Sequence, residues 1–248
     1  MRYFLECSYN GAPFHGWQIQ PNIITVQSAI EHALSTLLRQ PIAIVGSGRT
    51  DKRVHARQQF AHFELETPLP DPAFLLFRLN HFLPPDIAIL RIFLVDNYLH
   101  ARFSALSRKY QYYIIRKKDP FTQRMSYFFN PPLDVPAMNA ATELLFQHSD
   151  FQSFSMVKTE VNHFHCRIME ARWEDRDDEL VFHVRADRFL RGMVRALVGT
   201  LLEVGLGNMS IADFEQIILA KDRQKAGRAV PPDGLFLMEV TYPDGRLA

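Results

Sequence analysis

Gly48-Arg49-Thr50-Asp51-Lys52-Arg53-Val54-His55-Ala56 is a strongly charged stretch between two segments, 42–45 and 58–64, that read as strands. A loop that joins strand to strand, rather than strand to helix, argues against a doubly wound parallel sheet and for mainly antiparallel pairing. One carboxylate, Asp51, stands there among Arg49, Lys52, Arg53 and Arg57. An isolated acid in a basic setting is expected where something anionic binds and the acid does chemistry on it.

Outward from that loop, residues 3–9 read as a strand, followed by a loop punctuated by Gly11, Pro13 and Gly16. Val26, Ala29, Ile30, Ala33, Leu34, Leu37 and Leu38 recur at helical period, so the spacing predicts a helix over 26–38 with Thr25 as its N-cap. Pro41 disfavours helical geometry at Gln40. Asp71 followed by Pro72 opens a second helix, which must stop before Pro84-Pro85, and 87–95 is an apolar strand.

The remainder repeats this rhythm loosely. A tyrosine-rich strand at 108–116 precedes a helix at 136–147 and a strand at 167–173. Leu180, Phe182 and Val184 alternate with polar neighbours, the pattern of a half-buried strand. Met193, Val194, Leu197, Val198, Leu201 and Leu202 form a helical stripe ending near Gly205; Ser210 with Asp213 caps the next helix, and 235–242 closes the chain as a strand. This order predicts an α+β fold of two similar halves, 1–105 and 106–248, each with mixed, mainly antiparallel sheet backed by helices.

At 248 residues, 47% hydrophobic and 22% charged, the chain has ordinary globular composition and enough length for a substantial core. The net charge of +1 is uninformative, but its distribution is not. No Asp or Glu occurs from 98 to 118, where Arg102, Arg108, Lys109, Arg116, Lys117 and Lys118 all fall. The acids gather at 174–179, which reads as a solvated hairpin turn. A segregated basic face suits nucleic-acid binding, and many metabolic enzymes share it. Cys7 and Cys166 lie far apart in expected strands, a poor disulfide framework that suits a reducing cytosol. With no secretory signal and no apolar run of membrane-spanning length, the chain reads as soluble and cytoplasmic, with no membrane partner.

Three local patterns compete for a chemical reading. Gly46-Ser47-Gly48 after a strand suggests dinucleotide binding, but Asp51 stands where the third glycine belongs and no helix follows to hold a pyrophosphate. His163, His165 and Cys166 have ligand chemistry, yet no second cluster completes a metal site; the histidines read as loop or strand-face residues and Cys166 as core. Tyr110 follows Arg108-Lys109, placing an aromatic face beside phosphate-binding charge, while Tyr112 and Tyr113 read as ordinary strand formers. Arg195, at the flank of its helical stripe, either snorkels to solvent or reaches inward to a carboxylate.

The segment Gly48-Arg49-Thr50-Asp51-x-x-Val54-His55-Ala56 resembles the catalytic motif of the tRNA pseudouridine synthase A family. The resemblance extends through His15-Gly16-Trp17-Gln18-Ile19-Gln20, Thr25-Val26-Gln27, His100-Ala101-Arg102-Phe103-Ser104-Ala105 and Arg108-Lys109-Tyr110. It continues through Asp150-Phe151-x-x-Phe154, Phe189-Leu190-x-x-Met193-Val194-Arg195, Val198-Gly199 and Gly234-Leu235-Phe236-Leu237, in order over nearly the whole chain. It implies the pseudouridine synthase fold with a central cleft, and isomerisation of uridine to pseudouridine at positions 38 to 40 of the tRNA anticodon stem-loop. It also implies a homodimer that works without metal or cofactor. By position Asp51 is the catalytic aspartate, acting as nucleophile or as base, Tyr110 the base-stacking tyrosine, and Arg49 and Arg195 the active-site arginines. Lys52, Arg53, Arg108 and Lys109 are candidate RNA contacts. Lys52-Arg53 stand where the family usually has a small residue and then glycine, so Arg53 must accept a left-handed backbone or the loop must differ. Arg191-Gly192 and Arg228-Ala229-Val230 are further departures, and they bear on which uridines are chosen.

Overall fold

A computed structural model describes residues 1–156 and 163–243. In chain order its elements are β1 (Arg2–Tyr9), α1 (Val26–Leu38), β2 (Val45–Gly46), β3 (His55–Glu64), α2 (Pro72–Phe82), β4 (Ile87–Val95) and β5 (Ser107–Ile115). Then come β6 (Tyr127–Phe128), α3 (Val135–Glu143), β7 (Ile168–Arg176), β8 (Glu179–Ala186), α4 (Met193–Gly205), α5 (Ile211–Ala220) and β9 (Leu235–Thr241). The backbone groups into two compact units, Met1–Leu106 with the chain from Phe236 onward, and Ser107–Leu235. The closing strand, read from sequence as part of the second half, therefore belongs with the first.

In the first unit β1 pairs antiparallel with β3 on one side and β4 on the other, and β9 runs parallel to β3, aligning His55 with Phe236. Tyr242, just past β9, fastens the returning chain: its ring packs edge-on against Phe4 and Phe60, and its hydroxyl donates to the Ala101 carbonyl at 2.6 Å. The helix expected over 26–38 forms with those bounds. Thr25 caps it, accepting from the Ser28 amide while Ser28 answers to the Thr25 amide.

The strand expected at 42–45 is reduced to β2, two residues that pair with β3. Ile42 and Ile44 are buried as a strand's would be, but their backbone is bonded by the polar face of α1. Ser35 Oγ accepts from the Ile42 amide at 2.9 Å, Glu31 from the Ile44 amide at 2.8 Å, and Gln27 donates to the Ile44 carbonyl at 3.0 Å. Those three residues are spaced four apart, one line along the helix.

In the second unit β8 lies between β5 and β7, antiparallel to both, and β6 adds a short parallel pair to β5. Leu180, Val181, Phe182, His183 and Val184 are all buried, so β8 is covered on both faces rather than one. The helix expected over 136–147 divides into α3 and a 3-10 turn at Leu144–Phe146. β7 runs on to Arg176, and the acidic hairpin turns at Asp177, whose φ is 52°.

The two units share one device. Asn80 of α2 grips the edge strand β4 through both backbone groups of Ile89, at 2.8 Å each. Asn139 of α3 does the same for Trp173 of β7, at 2.8 and 3.2 Å. An edge strand whose amides are taken by a helix side chain is a poor template for pairing with another chain.

Candidate active site

The loop that carries Asp51 is braced from below by the loop at 10–18. Thr50 is buried, with its hydroxyl 2.8 Å from that of Tyr9 and its carbonyl accepting from the Trp17 amide at 3.1 Å. Gly16, at φ +91°, lies so close that a Cβ would sit 2.6 Å from the Thr50 oxygen. Only glycine meets both conditions. On the incoming side, buried Gln59 ties the strand to the loop, accepting from Ser47 Oγ at 2.8 Å and donating to the Gly48 carbonyl at 2.9 Å.

After Thr50 the backbone turns sharply. The Val54 amide donates to the Asp51 carbonyl at 3.1 Å, enclosing Lys52 and Arg53, and the Arg53 amide donates to the Phe14 carbonyl at 3.2 Å. Arg53 adopts φ 67°, the left-handed geometry that the family's usual glycine would take without cost. The turn leaves Asp51 half-buried, with Arg49, Lys52 and Arg57 exposed around it. Arg49 and Lys52 make no ion pair among the described residues, and the Arg57 guanidinium lies 5.9 Å from the Phe236 ring centroid. Behind the turn His55 is buried; its Nδ1 accepts from the Gly11 amide at 3.1 Å and its ring stacks on Phe236 at 4.5 Å. Gly46-Ser47-Gly48 leads into this turn and then into β3, so no helix N-terminus is available there for a dinucleotide.

The other sequence-predicted residues lie in the second unit. Tyr110, on β5, is half-buried, and its ring meets Phe189 edge-on at 5.1 Å. Tyr112, two residues on, is fully buried and donates its hydroxyl to the Pro231 carbonyl at 2.8 Å, a structural tyrosine. Arg195 is half-buried on the first turn of α4, and its Nε donates to the Val230 carbonyl at 2.7 Å. Arg108 donates to the Asp187 carbonyl at 2.9 Å. Lys109 is paired with Glu170 at 2.9 Å. Burial alone would raise the Glu170 carboxyl, but the Lys109 hydrogen bond and charge outweigh it and hold it below the usual range.

Tyr9, Trp17 and Gln59, which brace the loop, and Val230, which receives Arg195, carry no signal of these roles in the sequence. Gly16 and Trp17 fall within the motif blocks, but their partner Thr50 is fixed only by folding. Among the described residues no group of His, Cys, Asp and Glu is placed to hold a metal. His163 and His165 lie with ring centroids 5.7 Å apart, and Cys166 is buried and unpaired with Cys7.

Residues 141–243 match the family model described as tRNA pseudouridine synthase, a class of isomerases. Over 243 residues the chain is 53% identical to the tRNA pseudouridine synthase A of Parabacteroides distasonis, covering 98% of this chain and 96% of that one. The enzyme of that name from Porphyromonas gingivalis is 47% identical over 245 residues, with 98% and 97% covered. That from Bacteroides fragilis is 46% identical over 243, with 98% and 96% covered. The chain belongs to the tRNA pseudouridine synthase A family.

Proposed function

We propose that the protein isomerises uridine to pseudouridine in tRNA, at positions 38 to 40 of the anticodon stem-loop, with Asp51 as the catalytic group. The observation that carries this reading is the braced turn. A carboxylate is presented half-exposed, between a buried threonine and a left-handed Arg53, with exposed cations on either side.

The target nucleotide leaves the stack before its glycosidic bond can be reached, at a cost of a few kcal/mol. Arg49 and Lys52 favour the phosphates that flank the extruded sugar, and Tyr110 offers a ring face on which the base stacks. Asp51 then either attacks C1′ of the ribose, displacing N1 of uracil, or removes the C2′ proton so that uracil leaves a glycal. In both routes the C1′–N1 bond breaks, the uracil rotates and a C1′–C5 bond forms. This expels the Asp51 carboxylate from C1′ in the first route and returns the C2′ proton in the second, and the C5 proton is then lost to solvent as N1 takes one up. Arg195 supplies a fixed guanidinium for a carbonyl or carboxylate partner. No step calls for a metal or a redox cofactor, and the working species is a homodimer, as sedimentation of the purified protein would register.

The deciding experiment is Asp51→Ala assayed on unmodified tRNA transcript. Pseudouridine formation should vanish while tRNA affinity stays within about threefold, since the loss is of chemistry rather than of phosphate binding. A wild-type protein that binds tRNA but forms no pseudouridine would establish a binding protein on this scaffold and defeat the proposal. Mapping pseudouridine in tRNA from cells with and without the protein tests the assignment to the anticodon arm.

A further inference from the structure

The start of the segment 227–231 is held against α4 by groups that carry no charge. Gly199 lies under it: a Cβ there would sit 1.9 Å from the Arg228 carbonyl oxygen. One position on, fully buried Thr200 accepts from the Gly227 amide at 2.9 Å and donates to the Ala196 carbonyl at 2.8 Å. Only a hydroxyl performs both tasks from that site. The segment then meets Arg195 twice, through the Val230 amide on the Arg195 carbonyl at 3.2 Å and through Arg195 Nε on the Val230 carbonyl at 2.7 Å. On its other side Arg223 donates to the Ala226 and Gly227 carbonyls at 3.2 and 3.1 Å.

With Nε committed to Val230, the plane of the Arg195 guanidinium is set by the backbone of this segment, and its two Nη groups lie at the far end. The position of that plane depends on how closely the segment sits on α4, which Gly199 and Thr200 decide. We propose that Thr200 and Gly199 are positioning residues for the isomerisation, acting on the substrate only through Arg195. The inference rests on the assignment of Arg195 as a substrate-binding group made above.

The test is a double-mutant cycle on full-length protein with tRNA transcript, read as single-turnover rate and as KM. Thr200→Val keeps the side-chain shape and removes the hydroxyl. It should lower the rate by about tenfold to a hundredfold, as a misplaced catalytic group does, with KM for tRNA within about twofold. Thr200→Ser should restore most of the rate. In an Arg195→Lys background, Thr200→Val should cost no more than about twofold further, because the group it positions is already lost. Equal losses in both backgrounds would mean a general structural role and overturn the inference, as would an unchanged rate in the single variant. Should Arg195→Lys itself leave the rate intact, the reading of Arg195 fails first, and the inference with it. If Thr200→Val melts below the assay temperature, Arg223→Gln, which loosens the other side of the same segment, enters the same cycle with the same two outcomes.

Discussion

Two stretches of this chain look alike in composition and end in opposite electrostatic states. Arg49, Lys52, Arg53 and Arg57 crowd one loop and the start of the strand that follows it; Lys109, Arg116 and Lys117 crowd one strand and its exit. In the loop, Arg49 and Lys52 remain exposed with no ion pair among the described residues. On the strand, Lys109 meets Glu170 at 2.9 Å, Arg116 meets Asp175 at 2.7 Å, and Lys117 meets Asp178 at 3.0 Å. The acids that neutralise the strand come from β7 and its turn, 61, 59 and 61 residues further along the chain. Cations in a run without acids in sequence can thus be neutralised in space by acids from elsewhere in the chain. What distinguishes the loop is that its backbone is closed by other backbone and by uncharged side chains, which leaves Arg49 and Lys52 uncommitted.

The sharpest way to break this contrast is to disturb the brace. Gly16→Ala adds a methyl 2.6 Å from the Thr50 oxygen at φ +91°. It should cost about 3 kcal/mol of stability, from backbone strain and overpacking together, and reduce pseudouridine formation at least about tenfold. The control lies in the second unit: Gly207 has φ +73° with nothing within 4 Å of a Cβ. Gly207→Ala should cost only the left-handed penalty of about 1 kcal/mol and leave activity unchanged. Urea titrations of both variants read the difference.

The charges themselves come next. Removing Arg49 and Lys52 together should lower tRNA affinity and reduce the slope of log K against log salt by about one to two, one for each phosphate no longer neutralised. Lys109→Ala should leave that slope unchanged, because its ammonium is already spent on Glu170. A slope that falls equally in both variants would erase the distinction between loop and strand.

A pH titration separates the units in a further way. Each unit has a buried histidine, His62 in the first and His183 in the second, whose ring is pushed toward the neutral form. Burial first, and then the Arg2 charge, pushes His62 from 6.5 down to about 4. Burial lowers His183 too, but Glu174 at 2.8 Å pulls the other way. The unfolded chain takes up these protons at about 6.5 and the folded chain only at lower pH, so the unfolded state binds more protons in that window. Stability is therefore complete above pH 6.5 and declines as the pH falls toward 4. His62→Gln should flatten this decline more than His183→Gln, as urea midpoints measured from pH 7 downward would record.

The smallest effect is expected at Arg53. Arg53→Gly relieves a left-handed penalty of about 1–2 kcal/mol but adds roughly 0.5–1 kcal/mol of chain entropy to the unfolded state, a net gain near 0.5 kcal/mol. A melting temperature raised by a degree or two, with weaker tRNA binding, would show that this arginine is kept for its charge. Unchanged binding would show that it is merely tolerated.

Much of the local structure is legible in the sequence. The bounds of α1, α4 and β4 and the caps at Thr25, Asp71 and Ser210 all follow from interactions that span three or four residues, where periodicity and capping chemistry operate. The left-handed backbone at residue 53 is one of two outcomes that the family resemblance allows. The motif blocks likewise single out Asp51, Tyr110, Arg49 and Arg195. Folding alone decided who meets whom. The amides of 42–44 found helix side chains instead of a strand, β9 joined the first unit, β8 was covered on both faces, and Arg195 received the carbonyl of a residue 35 positions away. Backbone hydrogen bonds and ion pairs are short-ranged in space but indifferent to separation along the chain, so a single sequence names the donors and acceptors without saying how they will be matched.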